Sequence, residues 1–105
     1  MSLASTKLSH KVVVIVNERI TVLSSKPFEQ IAALPDQSTE DLILDETKLN
    51  LSVWHDKLSS QEHRIVVQVY KPGMLGVGRM YADGFVANAK NQHRTLTIEE
   101  WAPFS

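Results

Sequence analysis

Apolar and polar positions trade places with a period of two along most of this chain, which is the spacing of half-buried strands. The first such region is Lys11–Val16 and Arg19–Leu23, two apolar runs on either side of Asn17-Glu18. If those two residues form the loop, Ile15 faces Ile20 and Val13 faces Val22 on one side, and Val14–Thr21 and Val16–Arg19 fall on the other. That register collects the strictly apolar pairs on one face, as a half-buried antiparallel pair requires. The pattern therefore predicts a hairpin over about 10–24, preceded by a small, polar and loose segment at 1–9.

The period changes after Ser24. Pro27 suits a first helical turn, Ser24 or Ser25 can cap it, and Phe28, Ile31, Ala32 and Leu34 lie near one face, so a short amphipathic helix is expected at about 27–34. Residues 35–41 read as a polar connection. Leu42–Leu44 reads as a strand pairing back through 45–47, with a helical turn as the alternative. Leu49, Leu51 and Val53 then alternate with Asn50, Ser52 and Trp54, and Ile65, Val67 and Val69 alternate with Val66, Gln68 and Tyr70. Lys71-Pro72-Gly73-Met74 is a reversal signal. The chain should return along 75–81, bend or bulge at Ala82-Asp83-Gly84, continue through Phe85–Ala87, loop at 88–92 and return once more at 93–96. Thr97 with Glu100 three residues later is a capping box, which predicts a short terminal helix limited by Pro103.

These elements make an α+β domain over 10–105. It has a mainly antiparallel sheet of about five to seven strands, one short helix at about 27–34 and a C-terminal helical turn. Composition narrows the classes of function. The 105 residues suffice for one core, with 43 % hydrophobic and 22 % charged residues. Eleven Lys and Arg against twelve Asp and Glu give a formal net charge of -1, so no global basic field draws nucleic acid or an anionic membrane. There is no cysteine, hence no disulfide, thiolate metal site or cysteine nucleophile. No run approaches the ~18 apolar residues of a membrane span, and no long apolar stretch follows Met1 as in a signal peptide. The expectation is a cytoplasmic protein without a cofactor.

Candidate chemistry is sparse. Gly73, Gly76 and Gly78 with Arg79 can be read as an anion loop, backbone N–H groups facing a phosphate and the guanidinium pairing with it. The spacing matches neither nucleotide fingerprint, no helix follows, and a turn with a bulge explains the glycines as well. His10, His55, His63 and His93 lack zinc-ligand spacing, so no metal is expected. His55 and His63 flank one loop and are able to meet across adjacent strands. That leaves a small enzyme, with one of them as base in a pocket between sheet and helix, as the alternative function. No catalytic set is legible.

The aromatic residues point elsewhere. If Leu49, Leu51, Val53, Ile65, Val67 and Val69 face the core, Trp54 and Tyr70 share the other face of the sheet, with Tyr81 as a further candidate and Arg64 and Arg79 as polar anchors. A two-turn helix, about 12 Å long at 1.5 Å per residue, cannot cover both faces. The reading that follows is a non-enzymatic binding module whose surface is Trp54, Tyr70, Tyr81, Arg64 and Arg79. It is expected to form a homodimer through a sheet face or edge, with a small molecule or protein as a further partner.

Overall fold

A 22-residue helix, α1 (Leu3–Ser24), opens the fold in the computed structural model, which describes residues 3–73 and 76–104. The expected hairpin at 10–24 is therefore corrected: the segment does not double back. Leu8, Val12, Val16 and Leu23 are buried on a stripe spaced by turns of helix, with Ile15 and Ile20 packed beside them. Burying a large aliphatic side chain contributes roughly 1.5–3 kcal/mol, whereas a β-branched residue weakens a helix by only about 0.5 kcal/mol. The stripe therefore outweighs the strand preference of the valine run. Val14 and Val22, inserted between stripe positions, point outward at 40 % and 56 % exposed. The helix also begins at Leu3, inside the segment expected to be loose.

Helix α2 (Phe28–Ala32) follows where the short helix was expected. Pro27 is its N-cap residue and supplies no side-chain cap. Ser24 and Ser25 do not cap it either; their hydroxyls donate back to the Thr21 and Val22 carbonyls at the end of α1.

Five antiparallel strands then run as a meander in the order β1-β2-β3-β4-β5: β1 (Gln37–Leu44), β2 (Thr47–Lys57), β3 (Glu62–Gly73), β4 (Gly76–Asn88) and β5 (His93–Arg94). The class is α+β, as the pattern predicted. Strand β1 absorbs most of the residues expected as a polar connection at 35–41, because an edge strand with an exposed face tolerates Gln37–Asp41. Asp45 and Glu46, both with left-handed backbone (φ 49° and 63°), close the β1–β2 hairpin between the paired Leu44 and Thr47. The bend expected at Ala82-Asp83-Gly84 is absent, since β4 runs straight through it. The irregularity lies two residues earlier. Val69 pairs with Tyr81 and Tyr70 with Arg79, leaving Met80 as the extra residue of a β-bulge.

One face of the sheet carries Leu49, Leu51, Val53, Ile65, Val67, Val69, Phe85 and Ala87 and packs under α1 and α2. The premise that a two-turn helix is the sheet's main cover falls away, since α1 packs on this face. The C-terminal segment lies on the opposite face: α3 (Ile98–Trp101) and a 3-10 turn (Ala102–Phe104). There Val66, Val86 and Leu96 are buried, with Trp54, Trp101 and Phe104 packed against them.

The capping box at Thr97 and Glu100 forms in full. Arg94 holds Glu100 with contacts of 2.7 and 2.8 Å. Arg94 first, and then the Thr97 backbone N–H, pull the Glu100 carboxyl down to about 2.

Candidate functional site

The C-terminal segment and the sheet face beneath it border an open concavity of about 730 Å³. It is lined by Trp54, Asp56, Arg64, Gln68, Tyr70, Arg79, Pro103 and Phe104. Strand parity places most of this wall. Trp54 and Asp56 from β2 share a face, as do Arg64, Gln68 and Tyr70 from β3, and pairing aligns Asp56 with Arg64 and Trp54 with Val66.

Arg79 joins that face only because of the bulge. Opposite Tyr70 it points with Tyr70; were Met80 paired regularly with Tyr70, Arg79 would share the face of Tyr81 on the core side. Tyr81 lies on the other side of the bulge, keeps the parity of Phe85 and Ala87, and packs with the main core. The expectation that Tyr81 belongs with Trp54 and Tyr70 is thus corrected. The structure brings together Trp54, Tyr70, Arg64 and Arg79 and leaves Tyr81 out.

Three of the polar side chains are held in place from behind. Arg64, with 11 % of its side chain exposed, donates to Asp56 Oδ2 from Nε at 3.2 Å and from Nη2 at 3.0 Å. Its Nη1 donates to the Glu100 carbonyl at 2.8 Å, and its guanidinium lies 5.0 Å from the Phe104 ring centroid. This cation–π and hydrogen-bond set ties β3 to the C-terminal segment. Arg79 Nη1 donates to the Phe104 carbonyl, and the Tyr70 hydroxyl donates to Gln68 Oε1 on an almost fully buried amide. Trp54 and Phe104 meet edge to face with ring centroids 6.3 Å apart.

The Trp54 indole Nε1 is buried and has no hydrogen-bond partner among the described residues. A buried donor left unmatched costs about 1–3 kcal/mol, so folds rarely keep one without a use for it.

Asp56, Gln68, Pro103 and Phe104 were missing from the expected binding surface. Alternation alone puts Asp56 and Gln68 on the face of Trp54 and Tyr70. No local pattern signals that 103–104 folds over that face.

His55 and His63 do meet, on the core face of the sheet and away from the concavity. His55 Nδ1 lies 2.9 Å from the Leu34 carbonyl, which only accepts, so Nδ1 carries the hydrogen. His55 Nε2 then accepts from His63 Nδ1 at 2.6 Å. The two rings stack at 4.9 Å, and Phe28 meets His63 edge to face at 5.1 Å. The carboxylates next to them in sequence are engaged elsewhere, Asp56 with Arg64 and Glu62 with Arg94. Neither the concavity nor the shallower one on the outer face of α1, lined by Val14, Asn17, Glu18, Thr21 and Val22, contains a histidine. The pair joins the α2–β1 connection to the sheet. Among the described residues no group of three or more His, Asp or Glu is placed to hold a metal ion.

Burial first, and then the neighbouring His55 and Lys57, push the His63 pKa below its ordinary 6.5. In the unfolded chain His63 takes up its proton near that ordinary value, while the folded state resists it. The unfolded state then binds more protons as pH falls, and stability drops with it. The stabilisation is complete above about 6.5 and declines from there down toward the lowered folded value. Urea denaturation between pH 7.5 and 5.5 should show this decline in the native chain and a flatter profile in His63→Gln. Parallel slopes in the two proteins would remove the assignment.

Of the anion-loop residues, Gly73 pairs with Gly76 and Gly78 with Lys71 in the β3–β4 ladder. Met74 and Leu75 lie outside the described residues. No helix among the described residues is long and apolar enough to cross a membrane. Comparison with protein-family models, with curated proteins and with solved structures finds no match to this chain.

Proposed function

We propose that this protein works by binding a small molecule in the concavity between the C-terminal segment and the sheet. The observation that carries the reading is the Trp54 indole N–H, buried without an acceptor on a residue that lines the concavity. Four further features support it. The volume is within the usual range for small-molecule sites. Aromatic and apolar walls from Trp54, Tyr70, Pro103 and Phe104 alternate with a few fixed polar groups. Arg64 and Gln68 are held rigidly by neighbours, which lowers the ordering cost of binding. The bulge that turns Arg79 onto this face is a device common beside functional sites.

A mixed-charge library of aromatic fragments, followed by the indole N–H resonances in ¹⁵N-labelled protein, tests the reading. Two indoles are present, and the resonance lost in Trp54→Phe identifies Trp54. The expected result is a set of millimolar hits that shift the Trp54 resonance and leave α1 amides unmoved. A library in which no fragment of any charge moves Trp54, or in which hits map to α1 alone, rejects it.

A further inference from the structure

We infer that the ligand of this concavity is a small aromatic monocarboxylate, an inference that rests on the binding reading above. The first argument is the balance of hydrogen-bonding groups. The wall offers two guanidinium groups, which only donate. Arg64 directs three of its donor bonds to Asp56 and the Glu100 carbonyl. Arg79 is exposed, and its one hydrogen bond among the described residues is to the Phe104 carbonyl, so most of its fork remains for a ligand. Asp56 is the one carboxylate in the wall, already accepting twice from Arg64. Two arginines against one aspartate leave a surplus of one positive charge and of donors. A single carboxylate matches both the charge and the bidentate guanidinium geometry.

The second argument is that Phe104 displays the recognition in miniature. Its ring lies under the Arg64 guanidinium and against Trp54, and its carbonyl oxygen accepts from Arg79. An aryl group joined to an oxygen acceptor is thus what these side chains already hold. A free ligand of the same build takes the remaining Arg79 donors and stacks on Tyr70 and Trp54 beside it. A fully hydrophobic ligand would leave the donors unmatched, and a bare inorganic anion would leave the aromatic walls unused.

Isothermal titration with 2-naphthoate, its neutral analogue 2-naphthylmethanol and inorganic phosphate tests the inference. The carboxylate should bind at least ten times more tightly than the alcohol, and phosphate more weakly than the carboxylate. Arg79→Gln should erase the preference for carboxylate over alcohol while the alcohol still binds, its fold checked by circular dichroism. Equal affinity for carboxylate and alcohol overturns the inference and leaves small-molecule binding intact. Phosphate binding as tightly as naphthoate also overturns it, since the aromatic wall then contributes nothing. Binding of none of the three overturns it as well. The broader reading fails separately, only if no fragment of any charge moves the Trp54 resonance.

Discussion

Replacing Gly84 by alanine should lower stability by about 2–3 kcal/mol, the cost of forcing extra volume into a packed site. For a chain of this length that is a fall of roughly 10–20 °C in melting temperature. A Cβ at Gly84 would stand 2.4 Å from the Ile65 carbonyl oxygen, 3.2 Å from Val66 Cγ2 and 3.3 Å from Leu96 Cδ1. The first of these is backbone in the β3–β4 ladder and has nowhere to move without loosening the pairing around Val66 and Gly84. Leu96 presses on the same spot from the C-terminal side, so relief there would disturb the segment that walls the concavity. Gly78→Ala is the control. Its Cβ would meet only the Lys71 carbonyl, at an ordinary 3.8 Å, and its effect should stay within about 1 kcal/mol. Thermal and urea unfolding of the two variants decide the matter; equal effects would mean that the close approach at Gly84 is not as described.

Asn17→Pro should cost about 3 kcal/mol or more, because residue 17 lies in the middle of α1. Proline removes the N–H that bonds the Val13 carbonyl in a regular helix, and its ring collides with that same carbonyl. The stripe formed by Val12 and Val16 on one side of the break and Leu23 on the other would then no longer lie flat on β3 and β4. Asn17→Ala provides the opposite sign. Asn17 is exposed, and alanine is the better helix former by about 0.5 kcal/mol, so this variant should unfold at slightly higher urea. In a hairpin with Asn17-Glu18 as its loop the same change would destabilise, since alanine resists left-handed backbone. Far-ultraviolet circular dichroism and urea titration of both variants distinguish the two structures.

These two sites also show what was legible beforehand. The strands at 49–55 and 63–70 follow from alternation, because a strand with one buried face writes that face into every second residue. The capping box at Thr97 and Glu100 was readable for the same kind of reason: its two reciprocal hydrogen bonds involve residues three apart and nothing distant.

Helix α1 was misread because valine and isoleucine fill both its buried and its exposed positions. The buried Leu8, Val12, Val16 and Leu23, with the partly buried Ile15 and Ile20, keep a helical period, but Val13, Val14 and Val22 overlay it with a strand-like one. Turn chemistry did not separate the cases. The actual two-residue hairpin sits on Asp45-Glu46, a dipeptide much like Asn17-Glu18. What separates them is the absence of any glycine or proline before Pro27 and the continuity of the buried stripe from Leu8 to Leu23, about four turns.

The candidate site divides in the same way. Trp54, Asp56, Arg64, Gln68 and Tyr70 share a face by strand parity alone, so their grouping was already contained in the order of residues. Arg79 was not assignable, because one extra residue in β4 inverts the parity of everything before it and a bulge leaves no dependable local mark, whereas Tyr81 lies after the bulge and keeps the parity of Phe85 and Ala87.

The order of residues by itself determined an antiparallel α+β domain, the two faces of its central strands and the cap of its last helix, because each depends on neighbours a few positions apart. Tertiary structure alone decided that the first twenty-odd residues coil instead of pairing, that Arg79 and Tyr81 part company, and that Phe104 folds over Trp54 and Arg64. Those outcomes depend on which surfaces are free to be buried once the sheet exists, and that is set by contacts between residues tens of positions apart.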